Sequence, residues 1–228
     1  MVTQLIMIST IFLLAFSGKR IFQKSKVINY FPGKIFSLGL FFVASGILFY
    51  AIRDVFIQIR MYEIQIWFIQ IGAILHFIGC FLILWFFSKE FILKPLFQKI
   101  IFSLFSFLMI FFIFITLGGV LKIGSELQSA PLEPFPYFVM RNFILDPLGN
   151  MYLLGIVISL ALLTFGIILY NLLREKEKTL RFKGLLYGLG ALFLIAPMGI
   201  CMVISPVYAR IGYLIGAFLV YETFRVKT

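Results

Sequence analysis

Residues 64–87, IQIWFIQIGAILHFIGCFLILWFF, decide the fold class of this chain. The stretch contains no Asp, Glu, Lys or Arg. An α-helix of these residues is about 36 Å long at 1.5 Å per residue, which exceeds the roughly 30 Å thickness of the hydrocarbon core of a bilayer. The stretch therefore predicts a transmembrane helix.

The same pattern recurs along the whole chain. Hydrophobic residues make up 62% of the 228 residues and charged residues only 13%, a composition too apolar for a soluble domain. Windows of about 19 residues predict seven transmembrane helices, at 2–17, 35–52, 64–87, 100–121, 151–173, 184–204 and 206–224. Helices are preferred over a membrane β-barrel because the apolar runs are continuous, whereas barrel strands alternate apolar and polar residues. We predict an all-α, polytopic integral membrane bundle in which residues 1–228 form a single transmembrane domain.

Two segments need a separate interpretation. The span at 2–17 is short and N-terminal, like a signal peptide, but the first residues carry no positive charge and no small-residue cleavage site is obvious. We expect it to be retained as a helix. The loop at 122–150 is rich in proline and aromatic residues. It is expected to be an ordered outer loop, with a short interfacial helix over 137–145.

Lysine and arginine are distributed unequally between the two sides of the predicted bundle. One side carries Lys19, Arg20, Lys24, Lys26, Lys34, Lys89, Lys94, Lys99, Arg174, Lys176, Lys178, Arg181, Lys183, Arg225 and Lys227. Because such residues accumulate in cytoplasmic loops, we predict that the N-terminus lies outside and the C-terminus in the cytoplasm, in a plasma (inner) membrane. The inner basic loops are expected to contact anionic lipid headgroups. Nucleic acid is not an expected partner, because these loops lack a platform of aromatic and basic residues.

Glycine spacing predicts how the last two helices pack. Gly184 and Gly188 in the sixth span, and Gly212 and Gly216 in the seventh, are each four residues apart. Small residues at this spacing share one helix face and allow close approach of two backbones. We therefore expect the sixth and seventh helices to pack antiparallel.

His76, the only histidine, lies near the middle of the third span. It either titrates or ligates a metal in the membrane, or is a neutral imidazole hydrogen-bonded to a neighbouring helix. A zinc site would need three or four ligands, and no carboxylate lies deep in a predicted span. The chain also has no paired-carboxylate motif, no Gly-rich phosphate loop and no buried lysine for a Schiff base. We predict no catalytic residue, no metal and no cofactor, so the chain is not expected to be an enzyme.

A group of charged residues is expected at the outer mouth of the bundle. Its members are Arg53, Asp54, Arg60, Glu63, Arg141 and Arg210. They form either a site for an anionic ligand or a set of ion pairs at the level of the headgroups. Arg210 lies just inside an apolar span, where an unpaired cation is costly, so we expect it to have an acidic partner.

Residues 173–188, LREKEKTLRFKGLLYG, resemble the inner connection of the seven-helix N-terminal sensor region of bacterial histidine kinases and cyclases. The resemblance implies an outer N-terminus, a cytoplasmic C-terminus and a long outer loop between the fourth and fifth helices. No output domain follows Phe224 in this sequence, so a module of this kind is expected to signal through a protein partner or as an oligomer. The sequence therefore favours a receptor-like or scaffold module. The alternatives are a transporter or channel component for a small solute and, less favoured, a membrane-embedded enzyme.

Overall fold

The computed structural model describes residues 2–58, 62–91, 95–117, 121–123, 143–145, 147–203 and 206–223. In these ranges the chain forms seven α-helices and one two-stranded antiparallel ladder. The helices are α1 (Val2–Val27), α2 (Phe31–Gln58), α3 (Tyr62–Phe91), α4 (Pro95–Leu117), α5 (Pro147–Arg174), α6 (Lys178–Val203) and α7 (Pro206–Thr223). The predicted all-α class is confirmed.

Five of these helices, α1, α2, α3, α5 and α6, are long and apolar enough to cross a membrane. In α4 an apolar stretch of the described residues runs over Pro95–Phe111. Helix α7 has 18 residues and includes Arg210. Length and composition thus support a membrane-embedded helical protein.

At the connections that contain lysines, the helices extend beyond the predicted spans. Helix α1 continues to Val27 instead of ending near residue 17, and α2 begins at Phe31 instead of residue 35. A hydropathy window ends at the first lysines, but Lys, Arg and Gln are good helix formers. Asn29, with a φ of 50°, lies in the turn that reverses the chain. We call the end of the bundle with the α1–α2 and α5–α6 connections the basic end, and the other the Asp54 end.

A short β ladder lies between α4 and α5 in the chain. Strand β1 (Leu121–Ile123) pairs antiparallel with β2 (Phe143–Leu145), with Leu121 opposite Leu145. The predicted interfacial helix is therefore wrong at 143–145, and the rest of its range, 137–142, lies outside the described residues. Aromatic and β-branched residues favour strands. The pairing strand is distant in the sequence, and a local pattern does not reveal it.

Four glycines allow α2 and α3 to pack with their backbones in contact. A Cβ added at Gly46 would lie 2.7 Å from the carbonyl oxygen of Gly72, and one at Gly79 would lie 2.7 Å from that of Gly39. No side chain fits at these distances, so the two helices approach as closely as small residues permit. The order of the contacts shows that α2 and α3 are antiparallel. This interface positions His76, which lies between Gly72 and Gly79 in α3.

Helices α6 and α7 are also antiparallel, as expected. A Cβ on Gly216 would lie 3.0 Å from the carbonyl oxygen of Gly190, and one on Gly212 would lie 2.8 Å from Pro197 Cγ. The expected glycine partner on α6 is corrected, however, because a Cβ on Gly188 would meet Ile168 of α5. Residues 188 and 190 point in nearly opposite directions from the helix axis, and α6 packs on α5 with one face and on α7 with the other. Gly184, one turn before Gly188, is buried.

Candidate functional site

A buried ion-pair cluster joins α2 to α7 at the Asp54 end. Asp54 Oδ1 accepts hydrogen bonds from Arg53 Nε at 3.0 Å and from Arg53 Nη2 at 2.5 Å. Asp54 Oδ2 accepts one from Arg210 Nη2. The side chains of Arg210 and Asp54 are only 5% and 3% exposed. Arg210 therefore has the acidic partner that its position in an apolar helix requires.

The geometry of this cluster offsets the cost of burying its charges. Transfer of a carboxylate or a guanidinium from water into a low-dielectric interior is costly unless the hydrogen-bonding groups are satisfied. Each Asp54 oxygen accepts from a guanidinium, and such charge-assisted hydrogen bonds are the stronger kind. The cluster holds the last turns of α2 against the first turns of α7.

The structure brings together three residues of the predicted outer group. Arg53, Asp54 and Arg210 meet through the two ion pairs of the Asp54 carboxylate. Arg60 and Arg141 lie outside the described residues, and so does the side chain of Glu63. For the three that meet, the ion-pair interpretation describes the observed contacts. Ligand binding by the six-residue group stays a prediction.

His76 is fully buried between α2, α3, α6 and α7. Its Nε2 lies 2.8 Å from the carbonyl oxygen of Leu194 in α6. Because a carbonyl only accepts, Nε2 carries the hydrogen and donates it. In the neutral ring, Nδ1 then has a lone pair, and this atom is buried without a hydrogen-bond partner within the described residues. This arrangement matches the predicted imidazole bonded to a neighbouring helix.

The carbonyl that His76 contacts lies beside a break in the hydrogen bonding of α6. Pro197, inside α6, has no N–H for the carbonyl of Phe193, the residue before Leu194. Cys80, one turn after His76 in α3, also points its sulfur at the Leu194 oxygen, at 4.0 Å. In the described ranges, no group of three or more His, Cys, Asp or Glu residues comes together to hold a metal ion.

Two tyrosine rings flank His76, and the sequence did not single them out. The ring centroid of Tyr213 in α7 lies 5.0 Å from that of His76, and the centroid of Tyr50 in α2 lies 6.1 Å away. Both are aromatic residues in the middle of apolar helices, where a sequence pattern does not distinguish a packing role from a polar one. The structure thus places a titratable ring among aromatic groups at the centre of the bundle.

Substitution of His76 by Phe tests the contact with α6. Phenylalanine keeps a ring against Tyr213 but removes the donor to Leu194. The free energy of unfolding is expected to fall by about 1 kcal/mol, as for hydrogen bonds between membrane helices. Equilibrium unfolding in mixed detergent micelles measures the change. Ile71→Val, at an exposed position of α3, is the control; an equal effect of both substitutions would show that the hydrogen bond does not stabilise the fold.

A second group of polar contacts lies at the basic end. Tyr30, between α1 and α2, lies near the carboxylate of Glu90 at the end of α3. Burial, together with the charge of Glu90, raises the pKa of Tyr30, so its hydroxyl stays neutral. Tyr187 of α6 lies near Thr223 of α7, whose hydroxyl donates to the carbonyl of Val220 in its own helix. These residues bring the ends of α3 and α7 close to their neighbours.

An apolar layer separates His76 from the contacts at the basic end. It consists of Leu40 in α2, Ile83 and Leu84 in α3 and Ala191 in α6, each at most 1% exposed. A Cβ on Gly39 would lie 3.0 Å from Ile83 Cγ1, so Leu40 is at the level of Ile83. The described residues therefore form two polar regions with a buried apolar layer between them.

No protein-family model, curated protein or solved structure matches the chain. The resemblance of residues 173–188 to bacterial sensor regions stays a prediction.

Proposed function

We propose that this chain is a receptor-like or scaffold module that acts through a protein partner or as an oligomer. In this proposal α1 to α7 are seven transmembrane helices, the N-terminus is outside and the C-terminus is in the cytoplasm of a cell whose plasma (inner) membrane holds the protein. The accumulation of lysine and arginine at the basic end supports this orientation. No catalytic role is assigned to any residue.

The observation that carries the proposal is that α7 is tied to other helices at both of its ends. Arg210 bonds to Asp54 of α2 at one end, and at the other end the Tyr221 ring packs against Phe16 of α1, with their centroids 6.2 Å apart. Shifts of a packed helix by 1–2 Å are a common means of transmitting a signal between sites. A ligand that changed the Asp54–Arg210 contact would displace α7 and alter the contacts at the basic end. The apolar layer favours transmission of a signal over passage of a solute.

Helix α5 supports the expectation of a partner. Among the described residues, a Cβ added at Gly155 or Gly166 would meet nothing within 4 Å, whereas the glycines of α2 and α3 are in backbone contact. Gly155 and Gly166 are eleven residues apart, three helical turns, and so lie on one face. Small residues on a membrane helix are typical of close helix association. In our proposal this face contacts the partner or a second copy.

One observation favours the alternative, a transporter or channel component for a small solute. His76 is a titratable side chain at the centre of the bundle, and its Nδ1 is buried without a partner in the described part of the chain. Ionisable groups inside membrane proteins often belong to proton or substrate pathways. In a transporter, the apolar layer around Leu40 and Ile83 would open during transport.

One experiment separates the two functions. The protein is purified from native membranes in a mild detergent, and the co-purifying proteins are quantified by mass spectrometry for the wild type, for Gly166→Leu and for Phe107→Leu. Phe107 is an exposed residue of α4, so its substitution is the control. The receptor or scaffold function predicts a stoichiometric partner, or a defined oligomer, that Gly166→Leu releases and Phe107→Leu retains.

The transporter function predicts a different result. The protein would be recovered alone, and liposomes that contain it would take up a solute at a rate that depends on the pH gradient and is reduced by His76→Gln. This outcome would overturn the proposed receptor function.

A further inference from the structure

The connection between α1 and α2 forms a compact corner at the basic end. Tyr30 N donates to the carbonyl of Ser25 at 2.8 Å, and Asn29 N donates to that of Lys26 at 3.3 Å. A Cβ on Gly33 would come within contact distance of the side chains of Ser25 and Tyr30, so α2 begins close against the end of α1. One helical turn above, Ser37 Oγ donates to the carbonyl of Gly18 at 2.7 Å. The last turns of α1 therefore have a fixed position on α2.

This corner lies at the level expected for lipid headgroups. Helix α1 has 26 residues and is about 39 Å long, longer than the roughly 30 Å hydrocarbon core of a bilayer. The surplus is at its lysine-containing end. Ser17, Ile21 and Ser25 form the buried face towards α2, so the side chains on the remaining faces of this end point away from the protein.

Cations and apolar side chains are both present on the outward surface of the corner. The corner lysines are Lys24, Lys26 and Lys34. Lys24 and Lys26 are exposed, and Lys34 donates to Asn29 Oδ1 at 3.0 Å, which leaves further N–H donors on its ammonium group. The corner apolar side chains are Val27, Ile28 and Phe31, which are 86%, 70% and 61% exposed.

Aromatic and basic side chains of α3 extend this surface. The ring of Phe31 packs edge-on against Trp85 with their centroids 6.1 Å apart. Lys89 Nζ lies 5.9 Å from the centroid of the Trp85 ring. Tryptophan is enriched where the hydrocarbon meets the headgroups, and lysine extends its charged group from that level into the headgroup region. Trp85 therefore marks the depth of the corner and lies beside it.

We propose that the α1–α2 corner binds an anionic phospholipid. The corner lysines contact the phosphate of the headgroup, and the corner apolar side chains pack against the upper part of an acyl chain. Charge complementarity identifies this ligand, because lysines at the membrane surface attract anionic lipids and the adjacent apolar side chains fit a molecule that has a chain below its phosphate. The lipid site does not depend on the proposed receptor function.

The two tryptophans of the chain make this site measurable. Trp67 is near the opposite end of α3 from Trp85 and is 65% exposed, so Trp67→Phe leaves Trp85 as the only tryptophan. Quenching of its fluorescence is titrated with phosphatidylglycerol and with phosphatidylcholine, each with brominated acyl chains, in mixed micelles. Half-maximal quenching by phosphatidylglycerol is expected at a mole fraction at least about fivefold lower than that for phosphatidylcholine. A preference of about fivefold corresponds to the affinity gained from about one lysine contact with an anionic lipid. Equal quenching by both lipids would overturn the proposal.

Two matched variants separate a specific site from general attraction by a basic protein. Each is made in the Trp67→Phe background. The corner variant is Lys24→Gln, Lys26→Gln and Lys34→Gln, and the control is Lys176→Gln, Lys178→Gln and Lys183→Gln, which removes the same charge from the α5–α6 region. The corner variant is expected to lose the preference for phosphatidylglycerol, while the control retains it. An equal loss in both would contradict a site at the corner.

Two further measurements keep the result interpretable. Helical content and melting temperature show whether the corner variant folds; if it does not, the single variant Lys26→Gln replaces it, with Lys176→Gln as its control. Excess inorganic phosphate, added at constant ionic strength, tests the source of the anion. If the lipid stays bound, the proposal is supported. If phosphate displaces the lipid, the proposal is overturned in favour of a site for a free anion.

Discussion

Asp54→Asn is expected to lower the free energy of unfolding by about 3–5 kcal/mol. Asp54 accepts from both Arg53 and Arg210, and the neutral amide would leave both guanidiniums without their carboxylate. Arg210 is only 5% exposed, so solvent cannot replace the lost partner. Removal of one member of a buried ion pair is costly because an uncompensated charge remains in the interior. Equilibrium unfolding in mixed detergent micelles measures the difference.

Three companion variants test whether Asp54 acts through Arg210. Arg210→Leu alone should also destabilise the protein, and the double variant Asp54→Asn, Arg210→Leu should be less destabilised than the sum of the two, because coupled partners are non-additive. Lys176→Leu is the control, since Lys176 is an exposed residue of the α5–α6 connection. Additive effects, or equal effects of Arg210→Leu and Lys176→Leu, would contradict a buried ionic contact.

Gly46→Leu is expected to abolish the recovery of folded protein. Even a Cβ at this position would lie 2.7 Å from the Gly72 carbonyl oxygen and 2.9 Å from His76 N. Both are backbone atoms, so a rotation of a side chain does not relieve the clash, and α2 would have to separate from α3. For the smaller change Gly46→Ala, the free energy of unfolding is expected to fall by about 1–3 kcal/mol. Size-exclusion chromatography and unfolding measurements determine the two effects.

Helix α5 provides the matched control for this prediction. Gly166 is also a glycine inside a long apolar helix, but a Cβ there would meet no atom of the described residues within 4 Å. Gly166→Ala is expected to leave stability unchanged or to raise it by about 0.5–1 kcal/mol, because alanine has the higher helix propensity. If Gly46→Ala were tolerated as well as Gly166→Ala, α2 and α3 would not be in backbone contact.

The residues of α3 show how far the sequence determines the fold. Its uncharged stretch around His76 predicts a membrane helix because each apolar side chain favours hydrocarbon over water independently of its neighbours. The need of Arg210 for an acidic partner follows in the same way from the cost of a charge at that depth. Neither inference requires knowledge of another helix.

The identity of the partners depends on the tertiary structure. Arg210 bonds to a carboxylate 156 residues away, and His76 bonds to a carbonyl 118 residues away. The glycines of α2 and α3 have the same spacing of seven residues, yet only the packed structure shows that Gly46 meets Gly72. It also shows that Gly188 faces α5. That the chain forms apolar helices with lysines at one end follows from its sequence, because those properties are sums over single residues. Which helices touch follows from the packed structure, because a contact depends on the distance between two helices, which no single segment specifies.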